Sequence, residues 1–174
     1  MLKNLFKPRS GPRIGDDLYA KAVAQARNPA FYTQMGVADR IDARFELYTL
    51  HVLLLVLRVR DEDTAQGRDT AQAVFDVYVS ALDNALREEG VGDVSVGKKM
   101  RKLGEAVYGR MNAYEAPLRG GDAAVLAEAM ARNVYGEPQA EHAGALANYA
   151  LASRSALGQQ DFKAVLATPA WAEV

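Results

Sequence analysis

The sequence predicts an all-α fold, a compact bundle of about six to eight helices with a central buried helix near residues 39–60. Three observations lead to this prediction. Apolar residues recur at alternating steps of three and four along most of the chain, which is the period of a helix that buries one face. No stretch alternates strictly between apolar and polar residues as a half-buried strand does. Glycine and proline residues separate the periodic segments at lengths typical of helices.

The bulk composition indicates one domain. The chain has 174 residues, 49% of them hydrophobic, and a formal net charge of −1. We expect residues 1–13 to form a basic flexible tail and residues 14–174 a single all-helical domain. The absence of cysteine excludes disulfides and thiolate chemistry and is typical of a reducing compartment. The longest apolar run, Val52–Leu57, is too short to cross a bilayer, so we expect a soluble or peripheral protein.

The first segments read as a tail followed by two helices. Leu2, Leu5 and Phe6 alternate with basic residues, a pattern that either touches an anionic membrane weakly or stays disordered. The stretch before Pro8 is too short for the apolar core of a secretory signal, and the segment 8–12 should break any helix. Asp16 is the expected N-cap of a helix to about Arg27. The segment 28–36, from Asn-Pro to a glycine, predicts a short second helix.

The central helix is predicted from Asp39, as its N-cap, to about Arg60. Apolar residues cover nearly its whole circumference from Leu47 to Leu57, which indicates packing on several sides. Burying each large side chain contributes roughly 1.5–3 kcal/mol, so this helix should contribute most to the core.

The next two helices are predicted to meet at a tight corner. An acidic connection that contains Gly67 precedes a helix from about Thr70 to Glu88. Gly90 is the expected left-handed cap of that helix, and Ser95 is the expected N-cap of the next one. An apolar stripe along this second helix comprises Val96, Met100, Leu103, Val107, Met111, Tyr114 and Leu118.

The last part of the chain predicts four further elements. Asp122 should cap a helix to about Asn133, and a long helix should span about residues 140–157 before Gly158. Asp161 and the dipeptide at 168–169 each look like the start of a short terminal helix.

Charge is distributed unevenly along the chain. Residues 61–90 carry eight acids and two bases, whereas residues 95–119 carry six bases and two acids. The bases include a cluster opposite the apolar stripe, formed by Lys98, Lys99, Arg101 and Lys102. This cluster is either a solvated face, with Arg101 and Glu105 paired, or a surface for an anionic partner. Cations near a helix N-terminus oppose its dipole, which favours a bound acidic group. The small net charge gives no reason to expect sequence-specific nucleic-acid binding.

Residues Gly92 to Lys99 come close to a phosphate-binding loop. The motif requires a hydroxyl at its last position to hold magnesium, and Lys99 stands there. The motif also follows a parallel strand, whereas this segment follows a predicted helix. A corner between two helices is therefore the better interpretation.

The remaining candidates are histidine and aromatic residues. His51 lies in the apolar central helix and is either a satisfied or interfacial histidine or a ligand for haem or a metal, and no second ligand is near in sequence. No nucleophile has an identifiable base, so we expect neither catalysis nor a metal nor a cofactor. Five aromatic residues either line a groove or pack in the core: Phe31, Tyr32, Tyr108, Tyr114 and Tyr135.

Several blocks, in this order, resemble one family. They are the segments 26–32, 36–39, 44–46 and 50–51, then 86–93 with 95–99, and finally 106–110, 113–114 and 132–135. Together they resemble the ubiquinol–cytochrome c chaperone family over about residues 18–157. The sequence departs from the family pattern at Val107, where a bulky aromatic is common, and after Met35.

The resemblance implies an all-α assembly factor of the respiratory cytochrome bc complex. Its client would be newly made cytochrome b, and it would act in the cytoplasm or peripherally on the inner membrane, without catalytic residues or cofactor. The alternative is a helical protein that binds haem or an anionic lipid. The candidate partner-binding residues are Phe31, Tyr32, Asp93, Lys98, Lys99, Arg101, Lys102, Tyr108, Arg110 and Tyr114.

Overall fold

The computed structural model describes residues 11–88, 90 and 92–174. In these ranges the chain forms eight α-helices and one π-helical turn, and it contains no strand. The helices are α1 Gly11–Ala26, α2 Ala30–Thr33, α3 Ile41–Arg60, α4 Ala65–Glu88, α5 Asp93–Gly120, α6 Ala123–Met130, α7 Ala143–Gln159 and α8 Phe162–Ala167, with the π-helical turn Ala131–Tyr135 between α6 and α7. The all-α prediction is confirmed.

Most of the predicted tail, residues 1–10, lies outside the described residues. The structure places the start of α1 at Gly11, earlier than the predicted cap at Asp16. Pro12 is compatible with this start because the first turn of a helix has no acceptor for the N–H group that proline lacks. Gly15 is buried where α1 crosses α4, and a Cβ there would lie 2.6 Å from the carbonyl oxygen of Ala73. The two helices therefore approach closely at this glycine.

Helix α3 is the centre of the bundle, as predicted. Every residue from Thr49 to Val59 is buried, and α1, α4, α5 and α7 all pack against the helix. Its start differs from the prediction. The helix begins at Ile41, and Asp39 accepts a hydrogen bond from Arg44 Nε at 2.8 Å instead of capping the first turn. The apolar sequence thus predicts the burial of α3 correctly, but it does not predict the residue at which the helix begins.

Helices α4 and α5 form an antiparallel pair joined at the predicted corner. Gly90 has the expected positive φ of +77°. Helix α4 begins at Ala65, earlier than predicted, and Thr64 Oγ1 accepts from the amide of Gly67 at 3.0 Å. Helix α5 begins at Asp93, so Ser95 lies inside the helix and the prediction that it caps α5 is wrong. The extended backbone of Gly92 precedes the first turn instead.

After α5, two predicted N-caps are confirmed and two other predictions are wrong. Asp122 accepts from the amide of Val125 at 3.0 Å and Asp161 from that of Ala164 at 2.7 Å, so both predicted N-caps are confirmed. Helix α7 continues past Gly158, contrary to the prediction. No helix forms at residues 168–169, because the segment after α8 runs extended over the bundle and bonds to side chains of neighbouring elements.

That C-terminal segment is part of the core. Gln160 accepts from the amide of Ala170 at 2.7 Å, and Ser153 accepts from that of Ala172 at 3.1 Å. These bonds hold Trp171 against His51, with ring centroids 5.2 Å apart. The segment therefore closes the bundle over α3 and α7.

Candidate partner-binding surface

The first half of α5 carries the predicted cluster of cations, which we call the basic face: Lys98, Lys99, Arg101 and Lys102. All four residues are exposed, whereas Val96 and Val107 on the opposite side of the helix are 3% and 4% exposed. The helix period produces this separation, because the valines lie on one side of the helix and the four cations lie on the other. The basic face is thus presented to solvent by burial of the stripe behind it.

The basic face is only partly neutralised. Arg101 Nε lies 3.1 Å from Glu105 Oε1, the pair predicted as the solvated alternative. Both side chains are mostly exposed, so this pair contributes little. Among the residues that the structure describes, no carboxylate lies within salt-bridge distance of Lys98, Lys99 or Lys102. In the described part of the chain, three positive charges on the second and third turns of α5 therefore have no carboxylate partner, and they lie beyond the first turn, where the helix dipole acts most strongly.

Tyr108 extends this surface toward the middle of α5. It is 66% exposed and lies seven positions after Arg101, a spacing that places both on the same side of the helix. An exposed tyrosine offers apolar ring area together with a hydroxyl, a combination enriched at protein interfaces.

Arg110 has a different position, because it points into the bundle rather than toward solvent. Its guanidinium holds Glu46 of α3, with Nε 2.9 Å from Oε2 and Nη2 2.5 Å from Oε1. The side chain of Glu46 is 6% exposed and that of Arg110 is 23% exposed. Burial raises the pKa of Glu46, and the hydrogen bonds from Arg110 act in the opposite direction. The contact fixes the middle of α5 against α3.

Two buried tyrosines lie around this ion pair. The Tyr78 hydroxyl and Thr49 Oγ1 are 2.6 Å apart, and burial raises the pKa of Tyr78. Burial also raises the pKa of Tyr114, whose hydroxyl lies near Asn133 without a hydrogen bond of normal geometry. Tyr114 is only 1% exposed, so its ring contributes to the core.

The other aromatic candidates do not line one groove with Tyr108. Phe31 is fully buried and contacts the ring of Tyr149, with centroids 4.9 Å apart. Tyr32 is half-buried and lines a separate open cleft of about 390 Å³ near Arg27. Tyr135 donates its hydroxyl to the carbonyl oxygen of Met35 at 2.8 Å. The five aromatic residues are thus divided between the core and two surfaces.

His51 is a satisfied core residue. Its Nδ1 donates to the carbonyl oxygen of Leu47 at 2.8 Å, so Nε2 accepts from the Tyr149 hydroxyl at 2.8 Å. Burial lowers the pKa of His51 to about 4, which leaves the ring neutral at physiological pH. Both ring nitrogens are engaged, and neither is free to bind haem iron. In the described part of the chain no group of three or more acidic or histidine residues forms a metal site.

Asp93 and the segment to Lys99 belong to a helix–loop–helix corner. Asp93 is the first residue of α5, and its side chain lies outside what the structure describes. Because α4 precedes the corner, the context of a phosphate-binding loop is missing, as expected.

Sequence reasoning did not find the role of Glu46 or the cleft between α3, α4 and α5. An acid directly before the long apolar stretch of α3 was a usable signal, because a buried carboxylate requires a cationic partner. The identity of that partner depends on helix packing, since Arg110 is 64 residues away. The cleft residues, among them Val56, Phe75 and Met111, read as ordinary core positions in the sequence.

The family model described as ubiquinol-cytochrome C chaperone matches residues 33–172. The crystal structure of the Cbp3 homolog from Brucella abortus is similar, with a TM-score of 0.83 and 34% sequence identity, over 94% of this chain and 91% of that chain. A comparison with curated proteins gives no significant match.

Together with the fold, these matches define the protein as an all-helical chaperone. The chain belongs to the ubiquinol–cytochrome c chaperone family, whose members support assembly of ubiquinol–cytochrome c reductase. The family implies a client protein as its partner. Within the described residues, no helix is both long enough and apolar enough to cross a membrane.

Proposed function

We propose that this chaperone binds newly made cytochrome b and holds it while ubiquinol–cytochrome c reductase is assembled. Family membership supports the class of client, and the basic face of α5 is the observation that carries the proposal. Lys98, Lys99 and Lys102 are exposed without a carboxylate partner in the described part of the chain, so an acidic group of a partner can bind them without displacing an internal bond. Tyr108 adds apolar contact area to the same surface.

The proposed activity is binding rather than catalysis. A chaperone of this kind stabilises its client by covering surface until the next subunit arrives, so it needs neither a nucleophile nor a cofactor. The contact that holds the middle of α5 against the bundle supports this role. Since Arg110 and Glu46 fix α5 against α3, the cations are presented at defined positions rather than on a loose arm.

We propose that the protein works in the cytoplasm, on the inner face of the membrane that receives the client. The client is a membrane protein, so a chaperone that meets it early has to work beside the bilayer. Exposed lysines are attracted to anionic lipid headgroups by about 1 kcal/mol each near the surface. The basic face thus supports a peripheral location as well as client binding.

A pair of charge-reversed variants tests the client surface. Lys98→Glu with Lys102→Glu changes the basic face, and Arg132→Glu with Lys163→Glu makes the same change of net charge at two other exposed positions. Cytochrome b retrieved with the tagged chaperone from detergent-solubilised cells should fall by about tenfold for the first variant only. Equal retrieval by both variants would remove the basic face from the client site.

Anionic lipid is the second candidate ligand, because the same lysines would bind phosphate headgroups. Flotation of the purified protein with vesicles of anionic phospholipid, and with neutral vesicles as control, tests this candidate. Flotation with anionic vesicles that is lost in the Lys98→Glu, Lys102→Glu variant supports it. No flotation with either kind of vesicle excludes it.

A further inference from the structure

A cleft opens between α3, α4 and α5, with a volume of about 300 Å³. Its floor is apolar and comes from all three helices. Val56 of α3 is buried, whereas Phe75 of α4 and Met111 of α5 are half-buried, so these two side chains contact the core and still present surface to the cleft. The apolar floor continues inward to Leu53 and Val107. Water in this cleft therefore contacts hydrocarbon that a partner could cover.

Two arginines stand at the mouth of the cleft. Arg68 of α4 forms an ion pair with Asp63 at 3.3 Å. The side chain of Asp63 is 96% exposed, so the attraction between the two charges is weak. The guanidinium of Arg60, the last residue of α3, has no hydrogen-bond or salt-bridge acceptor in residues 11–88, 90 and 92–174. The cleft thus combines an apolar floor with positive charge at its mouth, and the described residues leave this charge largely uncompensated.

We propose that this cleft docks an apolar helical segment of the client that carries a carboxylate within one turn of its apolar side chains. The large apolar side chains would cover Phe75 and Met111, and the carboxylate would bind Arg60 and Arg68. Charge complementarity selects an acidic rather than a basic segment. The proposal rests on the proposed function only for the identity of the client.

The dimensions of the cleft favour a protein segment over a small molecule. Its volume lies at the low end of the range for ligand pockets, roughly 300–1,000 Å³, and it is open rather than enclosed. One or two side chains of a helix fill such a space, while the helix itself remains outside. Met111 suits this role because its unbranched side chain adapts to different apolar partners. The cleft shares no residue with the basic face, so the two surfaces can be tested separately.

Photo-crosslinking of the full-length chain in cells tests the cleft directly. A photoreactive phenylalanine analogue replaces Phe75 or Met111, and the control position is Val125 of α6, which is 48% exposed. Positions 75 and 111 should crosslink to a stretch of cytochrome b in which Asp or Glu lies within one helical turn of an apolar run. Position 125 should not crosslink to this stretch. Crosslinks from 75 and 111 only to segments without such an acid would overturn the proposal.

A charge variant tests the arginine at the mouth. Arg60→Glu should lower the crosslink yield from position 75 by about tenfold. Lys163→Glu, a reversal at an exposed cation away from the cleft, should leave the yield unchanged. Circular dichroism and thermal unfolding show whether both variants keep the wild-type fold. Equal yields in two folded variants would contradict the role of Arg60.

The outcomes separate this inference from the proposed function. If cytochrome b is retrieved but positions 75 and 111 give no crosslink to it, the cleft proposal fails and the function stands. If positions 75 and 111 crosslink to an acid-bearing apolar segment of another protein and cytochrome b is not retrieved, the cleft stands and the proposed client is wrong.

Discussion

The guanidinium of Arg110 binds both carboxylate oxygens of Glu46, with Nε 2.9 Å from Oε2 and Nη2 2.5 Å from Oε1. This pair joins α5 to the central helix α3 in an environment from which water is largely excluded. A buried ion pair of this geometry adds little net stability compared with an apolar pair, but removal of one partner leaves an uncompensated charge. The contact therefore fixes the position of α5, and with it the basic face.

Arg110→Ala should lower the free energy of unfolding by about 3–5 kcal/mol, because Glu46 would stay buried without its partner. The double variant Arg110→Ala, Glu46→Gln should recover part of this loss, since a neutral amide costs less to bury. Chemical denaturation of the three proteins at pH 7 measures both effects. A single variant as stable as the wild type would show that the pair has no role in positioning α5.

The loss caused by Arg110→Ala should also depend on pH. Burial raises the pKa of Glu46, and removal of Arg110 should raise it further. A carboxyl whose folded-state pKa is raised binds more protons in the folded than in the unfolded state above its ordinary pKa of 4.5. The destabilisation should thus be smallest near pH 4.5 and grow toward neutral pH. A destabilisation that is constant between these values would contradict a stranded carboxylate.

His51 should make the protein less stable in acid. Its pKa is lowered from 6.5 to about 4, so the unfolded state binds a proton between these values while the folded state does not. His51 therefore has little effect on the free energy of unfolding above pH 6.5 and lowers it as pH falls from 6.5 toward 4. Between pH 7 and pH 5 the loss should be on the order of 2 kcal/mol.

A variant at His51 tests this pH dependence. His51→Phe should be less stable at pH 7, because Tyr149 loses an acceptor, but it should lack this part of the pH dependence. Denaturation curves at pH 5 and pH 7 give the change in the free energy of unfolding for each protein. The same change in the wild type and in the variant would show that His51 does not titrate as its burial requires.

Two helical glycines should respond to alanine in opposite directions. Gly15→Ala places a Cβ 2.6 Å from the carbonyl oxygen of Ala73, so α1 and α4 must separate, and the cost should be roughly 1–3 kcal/mol. Gly109→Ala meets no atom within 4 Å and should stabilise α5 by about 0.5–1 kcal/mol. Thermal unfolding of both variants checks the contrast. A neutral effect at Gly15 would mean that α1 does not pack as closely as described.

The C-terminal segment should contribute to stability through Trp171. Trp171→Ala removes a half-buried ring from His51 and should cost roughly 2 kcal/mol, less than at a fully buried site. Glu173→Ala changes an exposed residue two positions later and should be neutral. Equal stability of the two variants in chemical denaturation would contradict a packed C-terminal segment.

The sequence predicts the architecture well where the signal is local. The apolar circumference of α3 identifies the central helix, and Asp122 and Asp161 identify the starts of α6 and α8, because capping depends on residues three positions apart. The limits of elements that depend on tertiary contacts are harder to predict. Residues 168–169 look like a helix start, but bonds to Gln160 and Ser153 hold the segment extended.

The candidate site is likewise predictable from the sequence only where the signal is local. The basic face follows from helix periodicity, so Lys98 and Lys102 are exposed as expected. Phe31 and Tyr114 are in the core, because an aromatic residue at helix spacing does not reveal which neighbour covers it. The partnership of Arg110 with Glu46, and the cleft at Phe75 and Met111, arise only when α3, α4 and α5 come together.

The most direct measurement is the amount of assembled ubiquinol–cytochrome c reductase in cells that lack this chain, relative to another respiratory complex in the same membranes. Native gels and haem b spectra should show a specific loss of the reductase. The wild-type chain should restore it, and the chain with Lys98→Glu and Lys102→Glu should not. An unchanged amount of the reductase in the deletion strain would contradict an assembly role for this protein.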